Sequence, residues 1–292
     1  MYPSRFRYEA PRSLDEAVAL LRDGGDDAKV LAGGQSLVPL MKLRFASPEL
    51  VVDINNLPGL DYHRAGPDGT LHVGALCRHA TLERSPLLAG TQPTMAAAAP
   101  LIADPIVRTR GTLVGSLCHA DPQGDWAAVV LALGGSVIAH GPAGRRAIPM
   151  ASFVTGPFQN TLGPAEIAVE AVIPAAAGTR SGGYLKLERR VGDFATVGVA
   201  VALESGDDGV VRKAGIALTG VGGSTIAATE AAAVLTGQSL TAETIAAAAR
   251  LAAAAAQPRT DHRGSAAYKR HMVSTFVQRL LSRAGGAAER AA

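Results

Sequence analysis

Residues 13–55 alternate between helical and strand patterns of apolar side chains. In SLDEAVALL the apolar residues recur on one helical face, Ser13 is the predicted N-cap, and Glu16 completes a capping box. A pair of glycines ends this helix. The next segments predict a strand in AKVLA, a glycine turn, a short helix in LVPLMKL and a strand in ELVVDIN. This order predicts a small α/β unit that ends near Pro58.

The chain from residue 59 to residue 176 predicts a second unit of mixed strands and helices. TLHVGALCRHATL is typical of a strand that runs into a helix capped by Thr81, and a long Ala-rich helical stretch follows it. WAAVVLAL predicts a helix, whereas SVIAH and EIAVEAVIP predict strands. We expect AAAGTRSGG, at residues 175–183, to be a linker because it is rich in small residues and glycine.

The last third of the chain has its strands first and its helices afterwards. GYLKLERR, FATVGVAVALE and VVRKAGIALTGV predict long strands, and TIAATEAAAVL, AETIAAAARLAAAAA and SAAYKRHMVSTFVQRLLSRA predict helices. Strands followed by helices indicate an α+β domain in which helices pack on an antiparallel sheet. We expect the tail after this domain, residues 286–292, to be flexible.

Composition and charge exclude several classes of function. The chain has 292 residues and a net charge of +3, and its basic residues are spread among acidic ones, which disfavours nucleic-acid binding. No segment reaches the roughly 20 apolar residues of a membrane span, and no apolar signal sequence opens the chain, so we expect a soluble, cytoplasmic protein. The two cysteines cannot hold an iron–sulfur cluster, which needs about four thiolates. Any such cluster must lie on a partner.

Two glycine-rich turns carry the candidate chemistry. LAGGQS offers consecutive backbone N–H groups before a helix, an arrangement that binds phosphate, although glycine can also serve an ordinary turn. It matches neither the Walker loop nor GxGxxG. The second turn, RTRGTLVGSLCHADPQGD, adds the hydroxyls of Thr112 and Ser116, and a carboxylate, Asp125, placed to bind ribose. The neighbouring Asp121 fits a turn former before proline equally well.

Other motifs indicate neither a metal site nor a catalytic residue. The spacing H-x-D-x-x-x-D after the second turn is poor for a metal and has no further ligands nearby. A third glycine turn, LTGVGGS, lacks the acidic residue of a dinucleotide fingerprint, and we interpret it as a loop. The histidines are scattered singly, and no Ser/His/Asp or Cys/His arrangement stands out.

Several motifs in order resemble one family. LAGGQSLVPLMKLR, ELVVDIN, VGALCRHATLE, DPIVRTRGTLVGSLCHADPQGDW and GGYLKLERRVGDFATVGVAVAL are similar to segments of the FAD-binding medium subunit of the molybdenum hydroxylases, the xanthine dehydrogenase and carbon monoxide dehydrogenase family. The resemblance implies an α+β protein with a vanillyl-alcohol-oxidase (PCMH) type FAD-binding domain. That domain would span residues 1–176, with subdomains of about 1–58 and 59–176, and a C-terminal flavoprotein domain would span 181–285.

The resemblance also implies which residues hold FAD. The first pyrophosphate loop would be Ala32, Gly33, Gly34, Gln35, Ser36 and Leu37, and the second Thr112, Gly115 and Ser116; His119 and Asp125 would line the ribityl and phosphate chain, Leu162 the adenine side, and Lys186 the isoalloxazine, with Phe194 as a weaker stacking candidate. Two positions depart from the family pattern. Val114 stands where a glycine is usual, so it either takes an ordinary conformation or shifts the loop, and Gln35 stands where histidine is frequent.

By resemblance, the chain is the electron-transfer subunit of a heterotrimer. A large molybdopterin-binding subunit would hydroxylate the substrate, a small iron–sulfur subunit would pass electrons to FAD on this chain, and NAD, a quinone or oxygen would accept them. Two alternatives remain open from the sequence. One is a free-standing FAD-dependent oxidoreductase of the same fold, and the other is a nucleotide-binding or assembly protein that has lost the flavin.

Overall fold

The computed structural model describes residues 2–289. Its first unit is a three-stranded parallel sheet of β1 (Arg7–Glu9), β2 (Ala28–Leu31) and β3 (Leu50–Asp53), in the order β1-β3-β2. Helix α1 (Leu14–Gly24) and helix α2 (Leu37–Leu43) confirm the two predicted helices, and a 3-10 turn at Gly25–Asp27 follows α1. The short strand β1 was not predicted from the sequence.

The predicted capping box of α1 differs in one bond. Ser13 caps the helix as expected, because its hydroxyl accepts from the Glu16 N–H at 3.1 Å. The Glu16 carboxylate, however, accepts from the backbone N–H of Arg12 at 2.7 Å rather than from that of Ser13. The Glu16 side chain therefore caps the N–H of the residue before the N-cap, and not that of the N-cap itself as the sequence motif indicated.

The second unit is a five-stranded antiparallel sheet in the order β4-β5-β10-β6-β7. Its strands are β4 (His63–Ala65), β5 (Leu71–Gly74), β6 (Ser136–Gly141), β7 (Gly144–Pro149) and β10 (Ile167–Ile173), and a hairpin of β8 (Val154–Gly156) and β9 (Gln159–Asn160) lies beside it. The helices are α3 (His79–Glu83), α4 (Pro86–Thr91), α5 (Pro93–Ala98), α6 (Pro105–Arg108), α7 (Leu113–His119), α8 (Asp125–Ala132) and α9 (Met150–Phe153), with a 3-10 turn at Ala99–Leu101.

Two helix predictions in this unit were wrong in detail. The predicted cap Thr81 lies inside α3, whose N-cap is Arg78, because the His79 N–H is bonded to the Gly111 carbonyl and this contact sets the helix start. The Ala-rich stretch is not one helix, because α4, α5 and the following α6 each begin at a proline. Proline fits the first position of a helix and breaks a helix when it lies in the interior.

The third unit is a four-stranded antiparallel sheet with helices on one face, which confirms the predicted α+β pattern. The strand order is β11-β12-β13-β14, from β11 (Thr179–Leu187), β12 (Val197–Ser205), β13 (Val211–Thr219) and β14 (Ile226–Ala227). The helices are α10 (Thr229–Ala233), α11 (Ala242–Ala255) and α12 (Ala266–Glu289).

Three predictions for this unit need correction. The expected linker at 175–183 is too long, because β11 begins at Thr179, where it pairs with Ser205. The segment TIAATEAAAVL divides into β14 and the short helix α10, since Ile226 and Ala227 pair with β13. Helix α12 continues to Glu289, beyond the predicted helix end at Ala284, and residues 290–292 of the predicted flexible tail lie outside the described residues.

Strand β12 joins two hydrophobic cores because both of its faces are buried. Val199 and Val201 point into a core shared with α11 and α12, whereas Ala200 and Ala202 point into the larger core of the first two units. The small side chains on that second face let α5 and α8 pack closely on the sheet. At Gly215 on β13, a Cβ would lie 1.8 Å from the Ala132 carbonyl oxygen of α8, so only glycine fits. This close packing places α8 directly against the third sheet.

A buried histidine links α3 to α8. The Trp126 indole N–H donates to His79 Nδ1 at 3.0 Å, and the exposed fractions of the two residues are 0% and 5%. Burial, with smaller contributions from Arg108 and Arg78, lowers the pKa of His79 from 6.5 to about 4. The ring is therefore neutral at physiological pH, and the indole bond places its proton on Nε2.

We predict that His79 makes the folded chain acid-sensitive. Between pH 6.5 and pH 4 the unfolded chain binds a proton at this histidine that the folded chain excludes, so the stabilisation is complete above this range and is lost as the pH falls through it. His79→Gln keeps an acceptor for Trp126 but does not titrate. From about pH 7.5 to about pH 5 its free energy of unfolding should fall by about 2 kcal/mol less than that of the wild type.

Denaturant unfolding at the two pH values measures this difference. The control is His271→Gln, an exposed position on α12, which should keep the wild-type pH dependence. A His79→Gln variant that loses as much stability in acid as the wild type would show that His79 does not cause the effect.

Candidate functional site

A cavity of about 570 Å³ lies where the three units meet. It is lined by both glycine-rich loops, by the start of α8 and by the end of β11. All thirteen residues that the sequence nominated line it: Ala32, Gly33, Gly34, Gln35, Ser36, Leu37, Thr112, Gly115, Ser116, His119, Asp125, Leu162 and Lys186. Phe194, the weaker candidate, lines it as well and is 49% exposed.

The first loop connects the end of β2 to the start of α2 and leaves its backbone donors free. No backbone N–H from Gly33 to Leu37 donates a hydrogen bond to any residue between 2 and 289. Gly34 has φ +75°, a conformation that favours glycine. Five consecutive unpaired donors on the wall of a cavity form a site suited to an anion.

The second loop begins helix α7. Thr112 is the N-cap, and its hydroxyl accepts from the Gly115 N–H at 3.1 Å. Val114, which departs from the family pattern, belongs to α7 and is 1% exposed, and its φ is not positive. Of the two possibilities left by the sequence, valine therefore takes an ordinary helical conformation. Ser116 of this loop lines the cavity.

The β8–β9 hairpin contributes Asn160 to the wall of the cavity. Phe158 at its tip has φ +57°, and its ring lies 5.2 Å from that of His119, centroid to centroid. The Phe158 N–H donates to the carbonyl of Ala120, which itself has φ +52°. Burial lowers the pKa of His119, so this ring favours its neutral form. On the same hairpin the Asn160 side chain accepts from the Leu162 N–H at 2.9 Å, and this bond fixes Leu162 in the wall.

Another part of the wall holds a buried ion pair between α8 and β11. The Lys186 ammonium lies 3.1 Å from Asp125 Oδ2 and donates to the Leu101 carbonyl at 2.9 Å, while the exposed fractions of the Lys186 and Asp125 side chains are 1% and 7%. The Tyr184 hydroxyl donates to the other oxygen of Asp125 at 2.5 Å, and Glu188 lies 3.5 Å from Lys186. Both carboxylate oxygens of Asp125 are thus bonded within the chain, and the ribose contact expected from the sequence stays a prediction.

Burial raises the pKa values of two groups around this ion pair, Asp125 and Tyr184. Loss of solvent raises the pKa of Asp125, while Lys186 and the Tyr184 hydrogen bond act against this rise. Burial, followed by the nearby Asp125, raises the pKa of Tyr184 well above its usual value, so the phenol stays protonated and continues to donate. The network therefore holds the Lys186 side chain at the cavity wall.

Several lining residues gave no signal in the sequence. Ala103 has φ +46° and faces Gly192, where a Cβ would lie 3.0 Å from the Ala103 carbonyl carbon. His79 also lines the cavity, although its sequence context suggested nothing beyond a helix. These residues come together only through tertiary packing, which a motif search cannot detect.

The third glycine turn lies outside the cavity, in agreement with its interpretation as a loop. Thr219 and Gly220 donate to the Pro122 carbonyl and thus pack against the segment that precedes α8. Within residues 2–289, no group of three His, Cys, Asp or Glu side chains is arranged to hold a metal ion. In the same part of the chain no helix is both long and apolar enough to cross a membrane.

Comparison with known proteins assigns both parts of the chain to described families. Residues 4–176 match the family of the FAD binding domain in molybdopterin dehydrogenase, and residues 183–284 match the CO dehydrogenase flavoprotein C-terminal domain.

Relatives match over almost the full length. The carbon monoxide dehydrogenase medium chain of Hydrogenophaga pseudoflava is 42% identical over 97% of this chain and 98% of its own length. The nicotine 6-hydroxylase medium subunit of Paenarthrobacter nicotinovorans is 38% identical, with 96% and 97% covered.

Solved structures agree with these matches. A chain of the H. pseudoflava carbon monoxide dehydrogenase that lacks the Mo-pyranopterin moiety superposes with a TM-score of 0.92, 44% identity and 99% of each chain covered. A chain of quinoline 2-oxidoreductase from Pseudomonas putida 86 superposes with a TM-score of 0.89, 32% identity and 99% of each chain covered. The chain therefore belongs to the FAD-binding medium subunits of the molybdenum hydroxylases, which are FAD-dependent oxidoreductase subunits, and its cofactor is FAD.

Proposed function

We propose that this chain carries electrons on an FAD bound in the cavity between the two glycine-rich loops. The observation that carries the proposal is the row of unpaired backbone N–H groups from Gly33 to Leu37, in residues that line the same cavity as Thr112 and Ser116 of the second loop. Unpaired donors of this kind favour the negative charge and many oxygens of a pyrophosphate.

The placement of the two loops supports recognition of a diphosphate rather than a single phosphate. The backbones of Gly33 and Gly111 are in close contact, since a Cβ on Gly33 would lie 2.8 Å from the Gly111 Cα. Donors from both loops can therefore reach neighbouring phosphates of one ligand. Gly33 to Leu37 would hold one face of the pyrophosphate, and the hydroxyls of Thr112 and Ser116 the other, with Gly115 as a residue without a side chain between them.

Lys186 would place its charge beside the ring system of the flavin. FAD supplies reversible electron transfer, and the protein binds the cofactor and adjusts its potential. A buried ammonium favours an anion beside it because little solvent screens the interaction. Asp125 and Tyr184 would hold the ammonium in place, and Phe194 would cover part of the cavity mouth.

The chain requires partners that supply its electrons. It has two cysteines, both free, and burial raises the pKa of each thiol to about 12. Neither is a thiolate ligand for a cluster. We infer a heterotrimer with a small iron–sulfur subunit and a large molybdopterin-binding subunit, and NAD, a quinone or oxygen as acceptor. The unpaired thiols also fit a reducing compartment such as the cytoplasm.

The substrate of the complex would be selected outside this chain. Three relatives that match most of this chain at similar sequence identity are named for different substrates, which are carbon monoxide, nicotine and caffeine. A conserved overall architecture with such different substrates is expected if this subunit only receives electrons. We also infer that the FAD-binding part ends near residue 176 and that the C-terminal domain occupies about residues 181–285.

Gly34→Ala tests the first loop. A Cβ at Gly34 would occupy a strained backbone at φ +75° and approach Leu31 and Val38 at 3.1 and 3.3 Å, so the donors should move. We expect the purified variant to lose the visible absorption of bound flavin, or to bind added FAD at least about tenfold more weakly, a difference of about 1.4 kcal/mol.

The matched control is Gly209→Ala, in an exposed turn with φ +73° and no atom within 4 Å of the added Cβ. It carries the same backbone strain away from the cavity and should keep its flavin. Equal FAD binding by both variants, alone and after co-expression with the two partner subunits, would contradict the proposed location of the pyrophosphate.

Lys186→Gln tests the proposed electrostatic role. The variant loses the ammonium, so the midpoint potential of bound FAD should become more negative by about 20–60 mV, equivalent to about 1–3 kcal/mol for a two-electron couple. Lys269→Gln is the control, because Lys269 is also buried and paired, 2.7 Å from Asp261, but lies outside the cavity. Potentiometric titration of the flavin absorption measures both. An unchanged potential in Lys186→Gln would remove this residue from the flavin site.

A further inference from the structure

The two loops are joined behind the cavity by a chain of polar contacts. Asn55 donates from Nδ2 to the carbonyl of Ala32, at the start of the first loop, at 2.8 Å. Its Oδ1 accepts from Arg78 Nη2 at 2.7 Å. Arg78 Nη1 donates in turn to the carbonyl of Arg110, directly before the second loop, at 2.7 Å. Two side chains thus connect the backbones of both loops.

The amide of Asn55 can take only one orientation in this chain. Its Nδ2 also donates to Asp53 Oδ1 at 2.6 Å, and its backbone N–H donates to the same oxygen at 2.8 Å. Rotating the amide would turn its NH₂ toward the guanidinium and its carbonyl oxygen toward two acceptors. Tyr8 on β1 holds the other oxygen of Asp53 at 2.6 Å, so the anchor is built into the first sheet.

Arg78 is equally constrained. Its backbone forms an antiparallel bridge with Thr112, and the next residue, His79, donates its N–H to the Gly111 carbonyl at 2.9 Å. The guanidinium reaches its two acceptors from two nitrogens held apart in one plane, whereas a lysine would have to reach both acceptors from a single nitrogen. Neither Asn55 nor Arg78 lines the cavity, so any effect on a ligand must pass through the loops.

We propose that Asn55 and Arg78, here called the loop clamp, are positioning residues that fix the separation of the two loops for a diphosphate. This inference rests on the proposed function, in which both loops bind the FAD pyrophosphate. A ligand with two phosphates needs both loops at the correct separation, whereas a ligand with one phosphate can be held by one loop. The clamp therefore determines preference for FAD over FMN.

The experiment measures dissociation constants of FAD and FMN for the full chain, after removal of bound flavin, by quenching of flavin fluorescence. The variants are Asn55→Ala, Arg78→Lys, which keeps the positive charge, and their combination. Asn56→Ala and Arg84→Lys are matched controls at exposed neighbouring positions. Thermal unfolding of each flavin-free variant reports any general loss of structure.

We expect each clamp variant to bind FAD about tenfold or more weakly, with FMN binding changed by less than about threefold. Both variants break the same connection, so the double variant should be no weaker than the weaker single variant by more than about threefold. Both controls should match the wild type.

Three results would overturn the inference. FAD binding that is unchanged in the clamp variants would show that the loops keep their separation without it. A parallel loss of FAD and FMN with a lower unfolding temperature would assign the two residues to the fold alone. If the losses of FAD affinity in the two single variants multiply in the double variant, the two residues act independently.

Failure of the proposed function has a different signature. If Gly34→Ala loses FAD while the clamp variants bind it normally, only the inference about the clamp fails. If the wild type binds neither FAD nor FMN, alone or with its partner subunits, the proposed function fails and the inference fails with it.

Discussion

The candidate site depends on one backbone contact, between Gly33 in the first loop and the Arg110–Gly111 segment before the second. A Cβ at Gly33 would lie 2.4 Å from the Arg110 carbonyl oxygen, so no other residue fits at this separation. The contact brings donors from two units of the chain to a single wall. Those donors are separated by about eighty residues in sequence, and neither loop alone presents enough of them to both sides of a diphosphate.

The third unit completes the cavity from the opposite side. Alanines on one face of β12 and the glycine at position 215 let α8 lie flat on the sheet, and this places Asp125 beside Lys186. The resulting ion pair is costly to bury, and it is supported by Tyr184 and by the Leu101 carbonyl. A cation is thereby fixed in a wall of the cavity, where an exposed lysine would be screened by water.

The residues nominated from the sequence line one cavity, whereas several boundaries of the elements differ from the sequence prediction. The two loops could be identified in the sequence because glycines together with small hydroxyl side chains before a helix are typical of a phosphate-binding turn. The cap at Thr81 was mispredicted because a tertiary bond from His79 to Gly111 sets the start of α3. The predicted linker was too long, since the glycines at 182 and 183 belong to β11 and pair with β12.

Other features had no local signal at all. Asn55 and Arg78 are ordinary polar residues in sequence, and their connection of the two loops follows from the pairing of distant segments. The bonding of both Asp125 oxygens was equally unpredictable, because Tyr184 and Lys186 lie about sixty residues away. Spacing can identify which residue types are available for a ligand, whereas their final partners depend on how the units pack.

A crystal structure of the full chain with bound FAD tests the central claim most directly. The account predicts that pyrophosphate oxygens lie within about 3 Å of backbone N–H groups between Gly33 and Leu37, and equally close to donors of the Thr112–Ser116 turn. A pyrophosphate bound away from either loop, with the N–H groups of Gly33 to Leu37 still unpaired, would contradict it.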